Sequence, residues 1–440
     1  MKKLTLIIIL FLFGFSAFSQ DFNRQKMDSL FMLIDQKDQG MGSLSIFHDG
    51  KEVYHKSIGF ADIEDSIPAN NETAYRIGSI SKTFTATIIM QLVDENKLTL
   101  DTKLNKFFEQ IPNSKNITIE QLLRHQSGLF NFTDTPDYTS WMEQPKTKQE
   151  MIEIIIENGT VFEPGERSEY SNTNFVLLSY IAEDIENLPL AEILQERIVN
   201  PCSLKHTYYG GKIDTNKNEA FSYTKSSSWN LATETDMSVP AGAGAIVSTP
   251  SDLNTFYNCL FNGKLVSEQS LEAMMTITDK YGMGLFTFPF YDKKAWGHTG
   301  GIDGFQSSAG YFPNDKVIVA YCTNGVVMPR NDILIGVLSI YFGKDYDLPE
   351  FKPAMEVSTK VLDKYIGVYS TPDLPIKITI SREDKILMAQ GTGQPAFPLS
   401  AFDTDKFKFD QAGVIIEFIT KENKLILKQG GQNFDMLKEE

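Results

Sequence analysis

Ser79-Ile80-Ser81-Lys82 runs directly into Thr83-Phe84-Thr85-Ala86-Thr87-Ile88-Ile89-Met90-Gln91-Leu92-Val93, a serine and a lysine three residues apart at the head of an apolar, helix-patterned segment. With Ser79 in the first turn, Lys82 falls one turn later on the same face. A serine hydroxyl is a poor nucleophile until a neighbouring base takes its proton. A lysine can be that base only if burial or nearby cations lower its pKa. The positive end of the helix also favours negative charge on the serine oxygen. The pairing is not unique: Ser222-Tyr223-Thr224-Lys225 repeats it in a polar stretch with no apolar helix behind it.

Further along, Pro164-Gly165-Glu166 makes a turn, Tyr170-Ser171-Asn172 follows, and a helix is expected from near Asn174. A loop tyrosine there can point its phenol into a cleft. Beside a lysine ammonium its pKa is expected to fall, so that it can pass a proton between nucleophile and leaving group. The plainer reading is a helix-capping Asn with a packed Tyr. Later still, Trp296-Gly297-His298-Thr299-Gly300-Gly301 offers a ring, a hydroxyl and glycines that let a substrate backbone approach a strand edge. By itself that stretch reads equally as a Gly-rich turn.

Three boxes in this order, Ser-x-x-Lys, Tyr-x-Asn and His-Thr-Gly, resemble those of class C β-lactamases and their penicillin-binding relatives. Tyr75-Arg76-Ile77-Gly78, Leu122 to Gly128, Tyr170 to Leu178 and Ala241 to Asp252 look similar to that family as well. The resemblance runs from about residue 40 to 340. It implies an acyl-serine mechanism with Ser79 as nucleophile, and Lys82 and Tyr170 sharing general acid/base work. Asn172 would bind substrate and Lys82, and His298, Thr299, Gly300 and Gly301 would line the substrate site. The N–H groups of Ser79 and Gly301 would form the oxyanion hole. One departure stands out. His298 occupies the place of a β-lactamase lysine, and histidine is largely neutral near pH 7. The implied substrate is therefore an ester, a D-amino-acid peptide or a β-lactam-like amide, with esterase or peptidase activity favoured over efficient β-lactam hydrolysis. The alternative is a slow-turnover or non-catalytic penicillin-binding-like receptor or scaffold.

Outside the boxes, Asp49-Gly50 between alternating runs predicts a hairpin, and Gly304–Phe312 with Lys316–Tyr321 a second. Helices are expected over Phe22–Gln36, Lys148–Glu157, Asn174–Ile185 and Asp332–Phe342. The simplest assembly is α+β: strands from both ends of the region pair in one antiparallel sheet, helices cover it, and the middle of the chain forms a helical lobe. Pro349 and Pro353 bracket an expected linker, after which short strands at meander spacing read as a small all-β domain, giving units of 20–350 and 351–440. Lys2 and Lys3, an apolar run from Leu4 to about Phe15 and Ala17-Phe18-Ser19 read as a signal peptide over residues 1–19. Export to a periplasmic or extracellular space follows, with no stable membrane anchor after cleavage. A net charge of −16 argues against nucleic acid as a partner, leaving a small molecule or peptide substrate. Nothing specifies an oligomer.

There is no Gly-x-Ser-x-Gly, Walker A or His-Glu-x-x-His pattern, so no cofactor or metal is implied. His125 reads as a structural residue beside a turn, and His48 and His55 as strand-surface residues. Cys202, Cys259 and Cys322 lack metal spacing and read as buried packing residues.

Overall fold

The structure, a computed structural model, describes residues 22–226, 228–351, 355–394, 396–409, 413–429 and 432–439. The expected leader over residues 1–19 and Pro353 of the expected linker lie outside them. Strands β1 (Gly40–His48) and β2 (Lys51–Ile58) meet at Asp49-Gly50, whose φ values of 50° and 73° are those a two-residue hairpin turn needs. Strands β3 (Phe286–Phe290), β4 (Lys293–Ile302), β5 (Phe305–Phe312) and β6 (Val317–Val326) come from the far end of the region. They join the first hairpin in one six-stranded antiparallel sheet of order β3-β4-β5-β6-β1-β2. The seam between the two chain ends is the pairing of β1 with β6, Ser43 opposite Cys322 and Leu44 opposite Tyr321.

Both faces of the central strands are covered, so they are apolar nearly throughout. On one side Leu44, Ile46, Val319 and Tyr321 pack under two helices, α1 (Arg24–Gln36) and a later one over Arg330–Tyr341. The helices supply Met27, Leu30 and Ile34 from the first and Ile333 and Val337 from the second. On the other side Ile318, Ala320 and Cys322 face the helical lobe. That lobe contains α2 (Ser81–Asp94), α3 (Lys148–Asn158), α4 (Asn172–Glu186) and α5 (Pro250–Phe261); the Arg330–Tyr341 helix is α6. Thr147 and Glu150 close a capping box at the start of α3. Each fully buried Leu or Ile here stabilises the sheet–helix layers by about 1.5–3 kcal/mol.

The C-terminal region goes further than a meander. Strands β7 (Gly367–Ser370), β8 (Ile378–Glu383), β9 (Ile386–Gly391), β10 (Phe397–Asp403), β11 (Lys406–Phe409), β12 (Val414–Ile419), β13 (Lys424–Gln429) and β14 (Gln432–Lys438) form a closed barrel. Closure is made where β14 returns to β7, Lys438 opposite Tyr369. Alternate residues such as Ile380, Leu387, Phe407, Ile416, Leu425 and Met436 fill the interior. A closed barrel leaves no sheet edge to aggregate. All three cysteines are buried and unbridged, Cys202 and Cys259 with their thiols in contact.

Candidate active site

The turn that carries Ser79 is shaped by two glycine contacts. Gly78 has φ +52°, and a Cβ there would lie 2.8 Å from the Gly301 nitrogen. A Cβ on Gly300 would lie 1.9 Å from the Ile77 carbonyl oxygen. Only backbone without side chains lets the end of β4 close against the 77–79 turn. Gly78–Ile80 forms a single 3₁₀ turn that leads into α2, so the serine stands at the helix tip and Lys82 in the first helical turn.

Lys82 is fully buried. Its Nζ lies 3.0 Å from Ser79 Oγ, 2.7 Å from Asn172 Oδ1 and 2.8 Å from the Ala243 carbonyl. Burial holds its pKa well below the usual lysine range. A neutral amine has two N–H bonds and one lone pair. Asn172 Oδ1 and the Ala243 carbonyl can only accept, so they take both N–H bonds. The lone pair is left facing the Ser79 hydroxyl, whose O–H can donate into it.

The Tyr170 phenol interacts with the same Ser79 hydroxyl, and its ring centroid is 4.9 Å from Lys82 Nζ. Its pKa does not fall, as the sequence suggested, but rises. The reason is burial, which disfavours the phenolate, with the neighbouring Tyr281 adding to it. Asn172 is not in a loop before the helix but is its first residue, two residues earlier than the expected start near Asn174. It is oriented by Asn131, whose Oδ1 accepts from the Asn172 backbone N–H (2.9 Å) and Nδ2 (3.1 Å), and by Thr133 Oγ1.

His298 is 1% exposed, and its Nδ1–H donates to the Thr299 carbonyl at 2.5 Å. Its ring packs 4.2 Å from that of Phe286. Burial, then the nearby Lys82, push its pKa down to about 3, so the ring is neutral across the physiological range. Its backbone N–H donates to the Tyr257 hydroxyl. On its other edge β4 pairs with β3 only as far as Gly297 opposite Phe286. Residues His298–Ile302 thus have β5 on one side and, among the described residues, no strand on the other. Thr299, Gly300 and Gly301 border a cavity of about 480 Å³ together with Ser79, Tyr170 and His298. A second cavity of about 340 Å³ touches Ser79 from the side of Asn172, Tyr138 and Asp303. The serine sits between the two.

All eight residues singled out from the sequence therefore gather at one place. Several others were not legible. The Ala243 carbonyl has no residue-type signature, and Asn131 and Thr133 lie in no box. His125, expected as a structural residue beside a turn, is buried against the segment that bears Tyr170. Its Nδ1 accepts the Ser171 N–H at 3.1 Å, and its ring supports that of Tyr170 at 4.5 Å. His55, expected on the strand surface, has a mostly covered side chain bonded to Glu52 and Ser251, both at 3.1 Å. Among the described residues no cluster of three His, Cys, Asp or Glu side chains could hold a metal.

A helix-capped antiparallel sheet, a helical lobe and a serine–lysine pair at a helix tip define the β-lactamase and DD-peptidase type of fold. Residues 31–337 match the family described as Beta-lactamase, and the chain belongs to that family of penicillin-binding-protein-like hydrolases. A penicillin-binding protein of Bacillus subtilis is 25% identical over 435 residues, covering 91% of this chain and 94% of its own. The octameric penicillin-binding protein homologue from Pyrococcus abyssi is 25% identical, with TM-score 0.68 over 94% of this chain and 100% of its own. D-amino acid amidase from Ochrobactrum anthropi SV3, in complex with D-phenylalanine, is 25% identical. It aligns with TM-score 0.67 over 73% of this chain and 99% of its own.

Proposed function

We propose that the protein is an exported serine hydrolase that cleaves an amide of a D-amino acid through an acyl-enzyme on Ser79. The single observation that carries this reading is the meeting of the Lys82 amine and the Tyr170 phenol on one hydroxyl. Lys82 takes the Ser79 proton into its lone pair as Oγ attacks the substrate carbonyl. The developing oxyanion is held by the N–H groups of Ser79 and Gly301. Tyr170 gives its proton to the departing amine and regains one from Lys82, so the amine leaves neutral and the acyl group stays on Ser79. A water then attacks the ester by the same relay in reverse, releasing the acid. Asn172 keeps Lys82 aimed, and the open edge at His298–Gly301 gives the substrate backbone a strand to pair with.

The likeness to a D-amino acid amidase supports the substrate class, and the neutral His298 in place of a fixed cation supports amides and esters over β-lactams. Export rests on the basic, apolar and small-residue order of residues 1–19. A second hydrolytic substrate class, esters, uses the same steps. Intact-mass spectrometry after a fluorophosphonate, together with release of ammonia from D-phenylalaninamide, tests the proposal. An adduct on Ser79 and catalytic turnover are expected. An adduct that forms once and never turns over favours the receptor alternative, and no adduct at all removes the reading.

A further inference from the structure

The larger cavity beside Ser79 has aromatic walls, Tyr281, Phe286 and Phe288, and one charged side chain among the described residues, Lys280. The lysine is exposed, but the turn that bears it is fixed at both ends. Thr278 and Tyr281 exchange backbone hydrogen bonds at 3.0 and 3.3 Å. Asp279, at φ 55°, accepts the Ser168 N–H on its carboxylate at 2.9 Å. The Tyr281 ring lies 6.3 Å from that of Tyr170, 5.0 Å from His125 and 5.4 Å from Phe286. Lys280 is thereby held between two anchors on the very loop that carries Tyr170.

Its charge has no taker among the described residues. The Asp279 carboxylate is engaged by backbone, and Glu166 and Glu169 on the neighbouring loop are paired with Arg167 at 2.9 and 3.3 Å. Among the described residues Lys280 makes no ion pair. His298 does not supply a cation in its stead, because its ring is buried against Phe286 and burial keeps it neutral. In a chain of net charge −16, an anionic substrate meets general repulsion, so a local cation at the mouth of the cleft changes which substrates enter.

We propose that Lys280 is the specificity-determining cation of this site, selecting amides whose portion in the aromatic cavity ends in a carboxylate. The inference rests on the hydrolase reading above and deepens it: the substrate is the amide of a D-amino acid with an amine partner that carries an apolar body and an anionic end, as a peptide with a free C-terminus does. The aromatic walls take the body, Thr299 offers a hydroxyl beside Ser79, and Lys280 meets the carboxylate.

The test uses matched amides of D-alanine: its 4-carboxyanilide, its 4-carboxamidoanilide as a neutral control of similar electronics, and its anilide. Release of the amine is followed at steady state or, where deacylation is slow, as the burst. The wild-type protein is expected to prefer the carboxylate over the carboxamide by about 10-fold in kcat/KM, as one charge-assisted hydrogen bond allows. That ratio is expected to shrink at 1 M NaCl, to approach one in Lys280→Ala, to invert in Lys280→Glu and to survive in Lys280→Arg. A ratio unchanged by Lys280→Ala overturns this inference alone. No amine released from any of the three, with Ser79 unlabelled by fluorophosphonate, overturns the hydrolase reading and this inference with it.

Discussion

Two segments of this chain spell Ser-x-x-Lys, and they share nothing else. In the first, Ser79 and Lys82 lie at the start of a 14-residue helix, where a spacing of three brings side chains to one face. In the second, Tyr223–Lys225 is a strand paired with Trp229–Leu231, where residues three apart point to opposite sides. Ser222 accepts the Gly304 N–H at 3.1 Å, and Lys225 bonds the Asp38 carbonyl at 2.7 Å and its carboxylate. Lys82 is fully buried with no acid beside it, whereas the Lys225 side chain is 18% exposed and paired. Burial lowers the first amine's pKa; the second keeps a carboxylate partner. The same four-letter pattern gives a buried amine of lowered pKa in one place and a tether in the other, and the difference lies wholly in backbone periodicity and solvent.

The comparison is broken most sharply at the serines. Ser79→Ala is expected to abolish acylation, with a loss of about 10⁶-fold in kcat, the scale seen when a serine nucleophile is removed. Ser222→Ala should leave the fluorophosphonate adduct and turnover within twofold of wild type. Equal losses in the two variants would contradict the assignment. Next in size, Lys82→Ala should cost about 10²–10⁴-fold in kcat, the usual range for a removed general base. Lys82→Arg should be as damaging, because a guanidinium keeps its proton. Circular dichroism and labelling kinetics distinguish these losses from misfolding.

The contact between the glycines and the nucleophile turn gives a third handle. Gly300→Ala places a methyl within 1.9 Å of a backbone oxygen, so the end of β4 must back away from the turn. A destabilisation of about 1–3 kcal/mol is expected from such overpacking, with a fall in kcat as the Gly301 N–H leaves its place. Thermal melts and steady-state kinetics read both. A variant with wild-type Tm and kcat would show that the two elements are not closely coupled.

Titration provides the fourth. With Lys82 as the proposed base, kcat/KM should fall on the acid side as pH drops through the lowered Lys82 pKa. His298, held down at about 3, should contribute nothing to that limb, and His298→Gln should leave its midpoint in place. The same histidine affects stability. Its folded pKa lies below the ordinary 6.5, so the stability it contributes as a neutral ring is complete above pH 6.5. It is lost as pH falls from 6.5 toward 3, by up to on the order of 1.4 kcal/mol per pH unit. Urea melts at pH 7 and pH 4 should show a smaller difference in His298→Gln than in wild type. The smallest effect is at Lys225. Its replacement by Ala should cost about 0–1 kcal/mol, as for other partly exposed ion pairs, with kinetics unaltered.

Much of the site was legible because its chemistry is written in side chains at helical and turn spacings. Ser79 with Lys82, Tyr170 with Asn172 and His298 with Thr299 could each be read as local patterns, and their order along the chain carried the family resemblance. The Tyr170 pKa was misjudged because its direction is set by burial of the phenol itself, which no local pattern records. Lys280 and Asn131 escaped notice for a related reason. Each matters through what it faces across the cleft, from segments about 110 and 40 residues away from Tyr170 and Asn172.

By itself, then, the amino-acid order determined the periodic elements, the two hairpins, the helix behind Ser79 and the three chemical boxes, since these depend on contacts within a few residues. Tertiary structure alone decided that β14 closes on β7, that the Ala243 carbonyl and Asn172 Oδ1 both accept from Lys82, and that one Ser-x-x-Lys is dry while the other is wet. Those outcomes depend on which distant surfaces exclude water from one another, and exclusion of water is a property of the packed molecule rather than of any stretch of chain.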